Sequence, residues 1–221
     1  MRKSKEQTAA TRQRIIEAAA ALFRRHGIDA VGVDAVMHAA GLTHGGFYGH
    51  FPSKEALVAE VTAASLARSA ARWDQISRDA PPAEAMKRIV GAYLHPAHVA
   101  APERGCLLTS LAPEIARRPE ARAALAGSVR GMVQALARCR PDRGQQAAMA
   151  ELSTMVGAVV LARLADTPAL AEEFLKAAAA SLSVPWGGEG WDEAAEPSAV
   201  AESPEESGVP RLSGNRHAAT G

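Results

Sequence analysis

Between residues 9 and 185 the apolar side chains recur every three or four positions, in stretches cut short by glycine or proline. That spacing gathers them on one face of a helix, whereas a strand would need strict alternation. In the first stretch, 9–25, Ile15, Ala19, Leu22 and Phe23 form the stripe, and Gly27 is placed to end the helix in a left-handed conformation. A second stripe, Val33, Val36, Met37 and Ala40, stops at Gly41, with Leu42 able to fold back on the helix it leaves. Thr43 is the predicted N-cap of a short third helix over 44–50. Pro52-Ser53 restarts the chain, with Ser53 as cap of a long helix to about residue 78 and Phe51 stapled against Leu57. At 1.5 Å per residue this helix spans roughly 35–40 Å.

Further breaks divide the rest. Helices are predicted over 83–94, 105–118 (kinked at Pro113), 119–138, 145–165 and 168–182, with Pro96 and Pro102 bracketing a loop. Thr167-Pro168 pairs an N-cap with proline at the first helical position. Aromatic residues are only 4% of the chain, which disfavours sheet. The expected fold is all-α with about nine helices. It divides into a flexible basic start at 1–8, a three-helix helix-turn-helix at 9–52, a helical domain at 53–186 and an acidic tail at 187–221. The tail is too poor in apolar residues to offset the entropy of ordering, so disorder is expected there.

The net charge of +1 hides an uneven distribution. Arg2, Lys3, Lys5, Arg12, Arg14, Arg24 and Arg25 face only Glu6 and Glu17 in the first 25 residues. The tail instead holds Glu189, Asp192, Glu193, Glu196, Glu202, Glu205 and Glu206 against Arg211 and Arg216. A basic leading end suggests a polyanionic partner there. The two cysteines, Cys106 and Cys139, form no C-x-x-C pair, so neither a disulfide scaffold nor a clustered metal site is expected. No secretory signal and no apolar run long enough to span a bilayer is read, and a cytoplasmic location is expected.

Three short helices joined by a tight Gly41 turn fit a helix-turn-helix. The run from Ala40 through Gly41, Leu42, Thr43, His44, Gly45, Gly46, Phe47, Tyr48, Gly49, His50, Phe51, Pro52, Ser53, Lys54, Glu55 and Ala56 to Leu57 resembles the signature of the TetR/AcrR family of transcriptional regulators. The resemblance covers about residues 11–60. It implies double-stranded operator DNA as partner, repression relieved by a small-molecule effector, and a homodimer formed by the last two helices, 145–165 and 168–182. It departs from the family pattern at Val31-Gly32, where a capping Thr or Ser is common.

Residue chemistry assigns the parts. Phe47 and Phe51, four apart, should face the core. Thr43, Tyr48, His50 and Lys54 are candidate phosphate contacts; Lys54, unfavourable in a first helical turn on its own, suits a docked anion. His44, Gly45 and Gly46 are left to read bases: His44 offers one donor and one acceptor, and the glycines permit close backbone approach. Candidate effector-pocket residues are Trp73, Tyr93, Leu94, Cys106, Leu107, Met132, Met149 and Met155. Cys106 follows Arg104 and Gly105 at a predicted helix start, where a thiol acidifies. The Gly-Cys pair also resembles a TetR branch with cysteine-based electrophile sensors, making Cys106 a candidate redox residue. Other readings are a metal sensor using His95, His98 and Cys106, a thiol–histidine enzyme, and a DNA-binding protein outside transcription. No orienting group or oxyanion site completes a catalytic set, so no enzyme, cofactor or resident metal is expected.

Overall fold

The computed structural model describes residues 5–186; the expected tail, 187–221, and residues 1–4 lie outside them. Among the described residues there are nine α-helices, two 3-10 segments and no strand. The helices are α1 (Lys5–His26), α2 (Val33–Ala39), α3 (Lys54–Asp79), α4 (Pro82–Tyr93), α5 (Pro96–Ala100), α6 (Leu107–Ala116), α7 (Pro119–Cys139), α8 (Gly144–Leu164) and α9 (Pro168–Ser181). The 3-10 segments are His44–Gly49, after α2, and Pro102–Arg104, after α5.

Local chemistry accounts for most ends. Gly27 and Gly41 take φ of +86° and +68°, where a side chain would be strained. After α2 the Leu42 amide donates to the Met37 carbonyl (2.8 Å) and the Gly41 amide to that of His38 (2.9 Å). This is the Schellman pattern that Gly41-Leu42 suggested. The Ser53 and Thr167 hydroxyl oxygens accept from the Ala56 and Leu170 amides as N-caps. Thr43 does not: it precedes the turn without accepting a capping bond.

The third helix of the motif is a 3-10 segment rather than an α-helix. With glycine at 45, 46 and 49 the backbone has little α preference, and its bonds close after three residues, as from Gly46 to Thr43 (3.1 Å). The first helix starts at Lys5, ahead of the expected residue 9. The expected loop between Pro96 and Pro102 contains α5 and the second 3-10 segment, each opened by proline.

Two cores result. Ile15, Phe23, Ile28, Val36, Met37, Phe47 and Phe51 close the N-terminal module. Phe47 and Phe51 stack at 5.7 Å between centroids, and Arg12 lies 4.4 Å over the Phe51 ring while pairing with Glu60 of α3. Leu66, Trp73, Met86, Ile89, Met132, Leu136, Met155 and Val159 fill the second. Contrary to the sequence expectation, α8 is long and apolar enough to cross a membrane. In the fold it packs against α7 and α9 and buries Leu152, Met155 and Val159.

Candidate nucleic-acid interface and its link to the second domain

The segment His44–Gly49 lies across α2 with Phe47 anchored at 0% exposure. Its other side chains are outside: Thr43, His44 and Tyr48 are exposed, Tyr48 at 65%. Lys54 opens α3, half-buried, beside this surface. His50 ends the 3-10 segment with its Nδ1 turned inward and without a hydrogen-bond partner. A Cβ added at Gly45 or Gly49 would meet nothing within 4 Å, and at Gly46 only the Met37 methyl at 3.5 Å. Packing inside the protein therefore does not demand these glycines. A bare, outward-facing backbone suits close approach to a groove. Gly32 starts α2 without any side-chain cap, so the capping hydroxyl that its family resemblance led one to look for is absent.

Asp34 was not among the expected site residues. Its carboxylate pairs with the His44 imidazole through Nδ1. No periodicity marks this pair, since the two residues are ten apart on different elements.

The module is tied to the second domain through α6. The Glu114 carboxylate accepts from the Ile28 amide at 2.8 Å and the Asp29 amide at 3.3 Å, in the turn between α1 and α2. Arg118, just beyond α6, pairs with Asp29 and lies 3.4 Å from Glu55 in the first turn of α3. One end of α6 thus contacts both the α1–α2 turn and the start of α3.

Its other end meets a buried polar cluster. His98 of α5 is 2% exposed, donates from Nδ1 to the Tyr93 carbonyl at 2.7 Å, and accepts at Nε2 from the Cys106 amide at 2.8 Å. An amide donor fixes Nε2 as unprotonated, so this histidine is neutral. Burial pushes its pKa down to about 4. Arg163 of α8 donates to the Thr109 and Ser110 hydroxyls and to the His98 carbonyl, at 2.9, 2.9 and 2.7 Å. Gly105 is required by space: a Cβ there would fall 2.6 Å from His98 Cδ2 and 2.8 Å from an Arg163 nitrogen.

This arrangement corrects two sequence readings. Burial pushes the Cys106 thiol up rather than down, outweighing the Tyr93 hydroxyl, the neighbouring amides and Arg24. His98 spends both ring nitrogens on backbone groups, and His95 Nδ1 accepts from the Ala97 amide, so these two histidines do not converge on Cys106 as metal ligands or as a thiol-activating base.

Of the expected pocket residues, Trp73, Tyr93, Leu94, Leu107, Met132 and Met155 are buried. Trp73 and Tyr93 meet edge to face at 5.6 Å, and the Tyr93 hydroxyl is buried near Cys106. Met149 is 48% exposed on α8, on the outer surface instead of inside. Among the described clefts only one, of about 160 Å³, is bordered by an expected liner, Leu94, together with Val90, His95, Ala179 and Trp186.

An exposed short turn on a three-helix module, clamped to a larger helical domain, has the layout of a helix-turn-helix module joined to a second helical domain. Residues 15–61 match the profile of the bacterial regulatory proteins of the tetR family. The HTH-type transcriptional regulator AcrR of Shigella flexneri is 37% identical over 60 residues, 27% of this chain and 28% of that protein. The uncharacterized HTH-type regulator YerO of Bacillus subtilis is 32% identical over 84 residues, 37% of this chain and 29% of that protein. The matches thus span less than a third of either relative's length. The fold is shared further: the reduced form of E. coli NemR superposes with a TM-score of 0.66 at 20% identity, over 79% of this chain and 96% of that one. A TetR transcriptional regulator from Chloroflexus aurantiacus gives 0.67 at 22%, over 80% and 96%. Residues 15–61 are thus similar to the DNA-binding domain of the tetR family, and the described chain shares its fold with solved regulators of that kind.

Proposed function

We propose that this chain is a dimeric, cytoplasmic transcriptional regulator, a repressor that leaves a palindromic operator when a small molecule binds its second domain. The observation that carries the reading is the outward face of His44–Gly49, where Gly45 and Gly49 have no neighbour and Tyr48 is largely exposed. In this reading the segment enters the major groove. Thr43, Tyr48, His50 and Lys54 hold phosphates, and His44, Gly45 and Gly46 face base edges.

Release follows from geometry. Two half-sites on one face of the duplex sit about 34–36 Å apart. A shift of α6 carries Glu114 and Arg118 with it, and with them the turn that leads into α2 and the start of α3. The effector site of this reading is lined from Trp73, Tyr93, Leu94, Cys106, Leu107, Met132 and Met155, beside the N-terminal end of α6.

The test is a mobility shift on DNA flanking the chain's own gene, across a salt series, with wild type and Gly45→Ala. Wild type should bind with affinity falling steeply as salt rises. Gly45→Ala should keep its melting temperature, since the new methyl meets nothing in the protein. It should bind about tenfold more weakly, near 1.4 kcal/mol for a methyl intruding on the groove. Salt-independent binding, or an alanine variant that binds as wild type does, would remove the turn from the interface.

A further inference from the structure

The pair between Asp34 and His44 fixes which way the base-facing histidine can hydrogen-bond. His44 opens the 3-10 segment with 54% of its side chain exposed; Asp34 lies in the first turn of α2, 81% exposed. A carboxylate only accepts, so the Nδ1 that meets it must carry the proton. The neutral ring then keeps a bare lone pair on Nε2. The Tyr48 ring lies edge-on to the imidazole, 6.3 Å between centroids at 66°. The element packed on this segment is α2, whose ionisable groups are Asp34 and His38.

An acceptor on Nε2 has two complements in the major groove, the adenine N6 and cytosine N4 amines. It meets guanine and thymine acceptor to acceptor. The opposite tautomer, with its proton on Nε2, would donate to guanine N7 or O6, or to thymine O4. We propose that Asp34 is a specificity-determining positioning residue, which sets His44 to select an amine-bearing base, A or C, at one position of each half-site. The inference rests on the reading above, that this turn faces DNA bases.

Selection from duplexes with a randomised core, at about pH 8 where a free imidazole is neutral, tests it. Wild type should enrich A or C at one symmetric pair of positions. His44→Ala should lose the preference at that pair while keeping the remaining pattern. Asp34→Ala frees the tautomer, and its discrimination at the pair should fall about five- to tenfold. Asp34→Glu should restore it. Asp34→Asn can donate an amide proton to Nδ1, and should shift the preference toward G or T. Both side chains are exposed, so thermal unfolding of the variants should match wild type. An unchanged pattern in Asp34→Ala would overturn the role of Asp34. An unchanged pattern in His44→Ala would overturn base reading by His44. Failure of wild type to enrich any sequence would instead sink the regulator reading itself, and this inference with it.

Discussion

His98 and Gly105 are the residues on which the centre of the second domain turns. His98 is held neutral between a carbonyl and an amide, and unfolding releases it to its ordinary pKa near 6.5. Because its folded pKa of about 4 lies below that, acid favours the unfolded chain. This contribution is complete above pH ~6.5, declines as pH falls, and has been lost by pH ~4; at 1.36 kcal/mol per unit it amounts to about 3 kcal/mol. Comparing urea unfolding of wild type and His98→Gln from about pH 7 to 4 should show that part of the slope missing in the variant. Gly105→Ala tests the same centre by volume. A methyl 2.6 Å from the imidazole must displace it or Arg163, and overpacking of this kind costs about 1–3 kcal/mol. Equal midpoints and slopes for Gly105→Ala and wild type in denaturant would show that the cluster yields without cost.

At the scale of elements, α6 is the part whose two ends do different work. Glu114 takes two amides that no helix satisfies, and Glu114→Ala would leave them to water or unpaired. The expected loss is roughly 1–3 kcal/mol. Hydrogen exchange should show it first at Ile28 and Asp29, with the core amides of α7 and α8 unaffected. Protection at Ile28 that survives the substitution would mean the carboxylate is not what holds this turn. Nothing in the residue order announces that contact, which joins positions 86 apart. What the sequence made legible was local: the stripe of Ile15, Ala19 and Phe23, the Gly41-Leu42 reversal, the caps at Ser53 and Thr167, and the inward Phe47 and Phe51. What it hid was tertiary. Thr43 has the chemistry of a cap but no bond, because the segment after it winds as 3-10. Helix α5 is too short to show a period. Cys106 has the flanks of an acidic thiol, yet the burial that raises it comes from elements distant in sequence. The outward residues His44, Gly45 and Tyr48 were legible as a surface, but the partner that polarises His44 was not.

At the scale of the molecule, the surface of α8 and α9 remains to be accounted for. Leu161 and Leu164 on α8 are 46% and 76% exposed, with Met149 on the same helix and Leu170 at the start of α9. Single exposed apolar residues are ordinary; these four lie on the two helices where the regulator reading places the contact with a second copy. In the regulator reading a second copy covers it and sets the distance between two recognition turns. Leu161→Glu/Leu164→Glu places two carboxylates on that surface without touching either core, so the monomer should melt normally. Sedimentation should show a dimer for wild type and a monomer for the variant. Joining two half-site contacts raises affinity by about 10²–10⁴ over one, and the variant should lose that factor on a two-site duplex. Salt supplies a separate check. The slope of log affinity against log salt counts the phosphates engaged, so a monomer on one half-site should show about half the wild-type slope. A variant that sediments as a monomer yet keeps both affinity and slope would mean that each subunit binds DNA alone. A variant that stays dimeric would place the contact elsewhere than on α8 and α9.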